Sequence, residues 1–151
     1  MPQSLAKVAF HIIFSTKHRR PWLKDEAIRK ELYAYMATIL KSLESPAIII
    51  NGVEDHVHIL CLLSRNYAIK KIVEEVKTEP SKWIKTKGSQ YKDFYWQAGY
   101  GVFSVSESKI EEVREYIKNQ EEHHRRMTFQ EEFRRICERH EIEIDERYVW
   151  D

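Results

Sequence analysis

The chain has 151 residues, 42% of them hydrophobic and 32% charged, with four glycines, four prolines and a formal net charge of +1. A chain of this length buries roughly two-thirds of its unfolded surface as one domain, so it needs no disulfide or metal to stay folded, and its composition argues for a globular domain over a disordered one. A charge so close to neutral means that an acidic partner has to be met by local basic patches.

The opening stretch MPQSLAKVAFHIIFSTKHRR lacks the long apolar core of a signal peptide, and no apolar run approaches the ~20 residues that span a bilayer. Two cysteines without C-x-x-C spacing suit a reduced compartment, so a soluble, cytoplasmic protein is expected.

The run Lys7 to Thr16, KVAFHIIFST, is rich in β-branched and aromatic residues and predicts a strand that opens into the basic loop Lys17, His18, Arg19, Arg20, Pro21. Asp25 to Lys41 places Ile28, Leu32, Tyr35, Met36, Ile39 and Leu40 at three- and four-residue spacing, an amphipathic helix. AIIINGV (Ala47 to Val53) and HVHILCLL (His56 to Leu63) then read as two strands joined by a tight polar turn at Glu54 and Asp55. A second helix fits Ala68 to Lys85, with Pro80 expected to kink or restart it. Tyr95 to Val105 predicts an aromatic strand whose two glycines point to a bulge or a close approach. A third helix fits Lys109 to about Arg125 and a fourth Thr128 to His140, before a tail, EIEIDERYVWD, that reads as a strand or an arm. The order βαββαβ followed by helices is that of a ferredoxin-like α+β sandwich, an antiparallel sheet with helices packed on it.

Strand alternation puts His56 and His58 on one face, and two imidazoles side by side on a rigid strand can share a metal ion. Taken alone, such a pair is better explained as one core histidine and one coincidence. On the third helix Tyr116 and Gln120 are four apart and hence on one face. A glutamine carbonyl can complete a hard-cation site, and a phenol one turn away can reach what the cation polarises. Val113 and Ile117 leave a packing role for Tyr116 equally open. Other candidates have two readings each. His124, one turn beyond Gln120, could approach a metal, but histidines and arginines at a helix C-terminus more often complement the dipole. Glu54 and Asp55 could contact the metal or orient an imidazole, but the turn is the preferred reading. His11, His18 and His140 have no partner at ligand spacing.

Basic residues concentrate after the first strand and along the second helix, followed by Tyr91, Phe94, Tyr95 and Trp96, as expected where unpaired bases stack. Most of these aromatics suit a core strand. Arg19, Arg20, Lys82 and Lys85 are the expected phosphate contacts.

In combination the motifs are more specific. An H-x-H strand followed roughly sixty residues later by Y-x-x-x-Q, on a βαββαβ order, resembles the single-tyrosine HUH transposases of small insertion sequences, and DHVHIL at Asp55 to Leu60 matches their His-hydrophobe-His motif. HIIFSTKHRRPWL and WQAGYGVFSVS also look like that family, so the resemblance covers about residues 7–125, with residues 128–151 as an accessory helix and tail of the same single domain. It implies that His56, His58 and Gln120 hold Mg²⁺ or Mn²⁺ and that Tyr116 attacks single-stranded DNA to give a 5′-phosphotyrosine and a free 3′-hydroxyl. It further implies recognition of hairpins at element ends and a homodimer with a composite active site. A non-catalytic nucleic-acid-binding protein of the same fold is the main alternative, and a metal-dependent hydrolase without a covalent step is another.

Overall fold

The computed structural model describes residues 2–151. Four strands, β1 (Ala9–Ser15), β2 (Ala47–Val53), β3 (His56–Leu62) and β4 (Gly101–Val105), form an antiparallel sheet in the order β2-β3-β1-β4. Two helices, α1 (Glu26–Ser42) and α2 (Ile69–Ile84), occupy the crossover positions. Three more follow β4: α3 (Ile110–Lys118), α4 (Gln120–His123) and α5 (Phe129–Arg139). The architecture is the α+β, ferredoxin-like sandwich expected from the pattern, with additional helices after it.

β1 is buried along its whole length because it lies between β3 and β4 and is covered on both faces. Its alternation therefore separates two cores. Phe10, Ile12 and Phe14, with Val57, Ile59 and Cys61 of β3, pack against Leu32, Met36 and Leu40 of α1 and Ile72, Val73 and Val76 of α2. On the opposite face Ile13 and Phe103 meet Phe129, Phe133, Ile136 and Cys137 of α5. Ile13 pairs with His58 and Ser15 with His56, so both imidazoles project into this second layer.

Capping accounts for two helix starts. Asp25 accepts from the Ala27 and Ile28 amides, and Thr128 from the Glu131 amide, the usual way to satisfy orphan first-turn donors. Gly52 is required by the β2–β3 hairpin, since a Cβ there would lie 2.2 Å from the His56 carbonyl oxygen.

Four departures from the sequence pattern have physical reasons. α2 runs through Pro80 without interruption: the proline removes only the N–H that would bond the Val76 carbonyl, and its buried ring packs with Ile72, Val73, Val76 and Ile84 on the core side of the helix. Only the second half of the aromatic segment joins the sheet. Ahead of it the Lys77 ammonium draws in the carbonyls of Gln97 at 2.7 Å and Gly99 at 2.8 Å, leaving a single bridge between Thr16 and Trp96. The close approach expected at its glycines is made by Phe133, whose ring lies 2.6 Å from where a Gly101 Cβ would sit. The third predicted helix breaks at Asn119, whose side chain bonds the Glu115 carbonyl at 2.9 Å while Asn51 of β2 takes the Ile117 and Lys118 carbonyls. The tail forms turns, not a strand, and lays Ile144, Val149 and Trp150 against the second core.

Candidate metal centre and nucleophile

The four residues that the motifs single out meet on the second face of the sheet. His56 and His58 are fully buried side by side on β3, their ring centroids 5.2 Å apart. Gln120 opens α4 with its Oε1 3.3 Å from His56 Nε2. The Tyr116 ring centroid is 6.0 Å from that of His58. All four come from one chain.

At their centre stands Glu132 of α5, which is 1% exposed. Its carboxylate accepts from His58 Nε2 at 2.9 Å, His124 Nε2 at 3.0 Å and Gln120 Nε2 at 3.3 Å, pairs with His56 Nε2 at 3.4 Å, and accepts from the Tyr116 hydroxyl. Sequence reasoning missed this residue, yet a signal was present: Phe129, Glu132, Phe133 and Ile136 sit at i, i+3, i+4 and i+7, so Glu132 is a charge inside the apolar stripe of its helix. His124 follows Gln120 by one turn and faces the same centre, its ring 4.3 Å from that of His56, so a dipole role does not describe it fully. Asp55 makes the turn as expected and also accepts from His56 Nδ1 at 2.7 Å. His11, set aside for want of a partner in sequence, finds one across the strands: its Nε2 lies 2.8 Å from His58 Nδ1.

The electrostatics follow from burial and from this one carboxylate. Desolvation alone would depress His56, but its bonds to Asp55 and Glu132 raise it to about 9, so it is an imidazolium at neutral pH. Burial lowers His58 in spite of Glu132, and lowers His11 further, helped by the neighbouring His58. Burial would raise Glu132, yet His58, His124 and His56 hold it well below the usual carboxylate range. Burial and then the Glu132 charge push the Tyr116 phenol above its ordinary value. The nucleophile candidate is thus held protonated against a carboxylate.

Ligand atoms of His56, His58, His124 and Glu132 lie within 4.8 Å of one another, a spread that one cation can draw together. Three imidazoles and a carboxylate, with an amide oxygen alongside, are donors suited to a divalent transition ion and usable by Mg²⁺.

The expected DNA contacts lie elsewhere. The basic loop leaves the sheet at the end where His56 begins: the Thr16 amide bonds the Asp55 carbonyl at 2.8 Å, and His18 and Arg19 both adopt positive φ. Arg20 is exposed, while the Arg19 guanidinium lies over the Trp150 ring at 5.9 Å. Lys82 is exposed on α2 beside Glu79. Lys85 sits 4.5 Å from the ring centroid of Tyr95, which Lys17 approaches at 5.9 Å. Tyr91, Phe94 and Trp96 are buried in the first core, whereas Tyr95 is 56% exposed. No helix among the described residues is long and apolar enough to cross a membrane.

Comparison with known proteins agrees with the motif and the fold. Residues 4–120 match the family described as "Transposase IS200 like". A solved structure assigned as a transposase of Deinococcus radiodurans R1 aligns with a TM-score of 0.61 at 23% identity, covering 80% of this chain and 95% of that one. A REP-associated tyrosine transposase bound to a REP hairpin aligns with a TM-score of 0.54 at 10% identity, covering 80% and 68%. No curated protein matches significantly. The match over residues 4–120, carried on this sheet and these helices, places the chain in the IS200-like transposase family.

Proposed function

We propose that this protein is a metal-dependent transposase of single-stranded DNA, with Tyr116 as nucleophile. The observation that carries the reading is the shared centre: the Tyr116 hydroxyl donates to the Glu132 carboxylate, which also holds His58, His56, His124 and Gln120. A core tyrosine has no need of such company. A bound Mg²⁺ or Mn²⁺ supplies charge neutralisation for the non-bridging oxygens of a phosphodiester and for Glu132 itself.

Within that frame the chain's own residues have separate tasks. His56, His58 and Gln120, joined by His124 and Glu132, would hold the ion. His56 is fixed by Asp55 and His58 by His11, so neither ring is free to turn. Tyr116 Oη forms the bond to phosphorus, the bond from phosphorus to the 3′-oxygen breaks, and the phenolic proton is released while the 3′-hydroxyl gains one. The resulting 5′-phosphotyrosine stores the bond energy, and a 3′-hydroxyl attacking it restores the phenol and joins strands without ATP. Water taking that place would make the protein a nuclease only.

One chain assembles histidines, glutamine and tyrosine, which favours a nucleophile working beside the histidine pair of its own subunit. The composite homodimer implied by the family resemblance requires Tyr116 to leave this position. Mixing Tyr116→Phe with His56→Ala protein separates the two arrangements, because activity returns only if subunits share a site. For the substrate we infer single-stranded DNA hairpins, supported by the hairpin-bound structural neighbour. Arg19, Arg20, Lys82 and Lys85 are the proposed phosphate contacts, and exposed Tyr95 with Lys85 against its ring is the proposed stacking platform.

The test is a labelled single-stranded hairpin incubated with the protein and Mn²⁺, then run on a denaturing gel. A protein–DNA adduct that Tyr116→Phe abolishes supports the transferase. Binding without cleavage would instead indicate a nucleic-acid-binding protein, and cleavage without adduct a hydrolase.

A further inference from the structure

His11 is the one imidazole bonded to a proposed ligand from the side away from Glu132. It lies on β1, 6% exposed, between Phe10 and Ile12. The β1–β3 register sets Ile13 opposite His58 and His11 opposite Leu60, so His11 is the diagonal neighbour of His58 on the same face. An imidazole is long enough to close that diagonal. Its Nε2 reaches His58 Nδ1 at 2.8 Å, with ring centroids 5.0 Å apart and planes inclined by 30°.

Two ring nitrogens at that distance share one proton, and its side is dictated by the other end of His58. Here His58 Nε2 faces the Glu132 carboxylate at 2.9 Å, which can only accept. His58 therefore carries its proton on Nε2, its Nδ1 accepts, and His11 Nε2 donates. A cation taken by His58 Nε2 needs a lone pair there, which moves the proton to Nδ1. The bond to His11 must then run in reverse, with His11 accepting at Nε2 and protonated at Nδ1. Neutral imidazole can play either part, whereas a lysine or a carboxylate in that place would fix one direction.

We propose that His11 is a positioning residue of the metal centre: it holds the ring of His58 from β1 and reverses its hydrogen bond when His58 becomes a ligand. The proposal rests on the metal centre described under Proposed function. It concerns His11 alone, which touches neither ion nor DNA in that scheme.

The experiment compares wild type, His11→Phe and His11→Gln for Mn²⁺ binding by titration calorimetry, with circular dichroism to show that each is folded. Loss of an outer partner of a ligating histidine weakens metal binding about 10- to 100-fold, and that is the expected result for His11→Phe. His11→Gln, whose amide can turn either its oxygen or its NH₂ toward His58, recovers most of the loss. The wild type alone gives a second readout that needs no variant. In ¹⁵N-correlated spectra of the histidine rings, His58 should be protonated on Nε2 without metal and on Nδ1 with Zn²⁺, a diamagnetic probe. Mn²⁺ binding by His11→Phe within two-fold of wild type, an equal loss in His11→Gln, or one unchanged His58 tautomer would overturn the proposal while leaving the metal centre standing. Failure of wild type to bind Mn²⁺ at all would remove the metal centre, and this role of His11 with it.

Discussion

Replacing Glu132 by glutamine probes the centre where it is most constrained. The change keeps the volume and removes one charge from a site in which His58 and His124 bond the carboxylate at 2.9 and 3.0 Å and His56 pairs with it at 3.4 Å. Breaking a buried ion pair by removing one partner costs about 3–5 kcal/mol. His56 keeps Asp55 at 2.7 Å, which offsets part of the loss and places the expected cost near the lower end, about 3 kcal/mol. For a chain of this size each 1 kcal/mol moves the melting temperature by about 2–4 °C, so the midpoint should fall by roughly 6–12 °C. Urea unfolding in EDTA measures this without metal, and repeating it with Mn²⁺ adds the binding contribution. Saturation at a hundred times Kd stabilises wild type by about 2.7 kcal/mol, most of which the variant should lack. Metal-free Glu132→Gln within about 1 kcal/mol of wild type would refute the reasoning that this carboxylate holds the three imidazoles together.

Further outcomes follow from the same structure. Metal-free stability should peak near pH 6.5. His56, raised to about 9 from 6.5, contributes fully below 6.5 and loses about 3 kcal/mol as pH climbs through 9. Buried His11 and His58, both lowered, cost stability as pH falls below 6.5 because the unfolded chain binds their protons first. Urea midpoints from pH 5 to 9.5 check both limbs, and a flat profile would contradict them. Gly52→Ala drives a Cβ to 2.2 Å from the His56 carbonyl and should destabilise by roughly 3 kcal/mol, read by the same unfolding curves. Tyr95→Ala should weaken binding of a single-stranded oligonucleotide by about 1–3 kcal/mol in fluorescence anisotropy with stability unchanged. Lys82→Gln should lower the salt dependence by about 0.7 if Lys82 neutralises one phosphate.

Much of this fold is legible in the chain because its strands carry their faces in their alternation. AIIINGV and HVHIL are bounded by Pro46 and by Glu54 and Asp55, and the observed β2 and the start of β3 coincide with those bounds. The same alternation puts His56 and His58 on one side of the strand. What it does not say is what lies opposite. Glu132 is 74 positions from His58, and its neighbours Glu131 and Phe133 make it look like one more acidic residue in a first helical turn. Only its place in the apolar stripe distinguishes it. His11 pairs across strands, a relation that spacing along the chain cannot express, and the break at Asn119 depends on Asn51 arriving from β2. Long-range contacts therefore complete a site of which local patterns show the first half.

The most direct measurement of the central claim is the chemical identity of the covalent link. A hairpin cleaved in Mn²⁺ should leave a protein–DNA adduct whose proteolytic digest, read by mass spectrometry, carries the 5′-nucleotide phosphate on the peptide containing Tyr116. The account predicts that modification at Tyr116 and none in the His56→Ala variant. A nucleotide on any other residue, or strand cleavage by a protein that never becomes labelled, would contradict it.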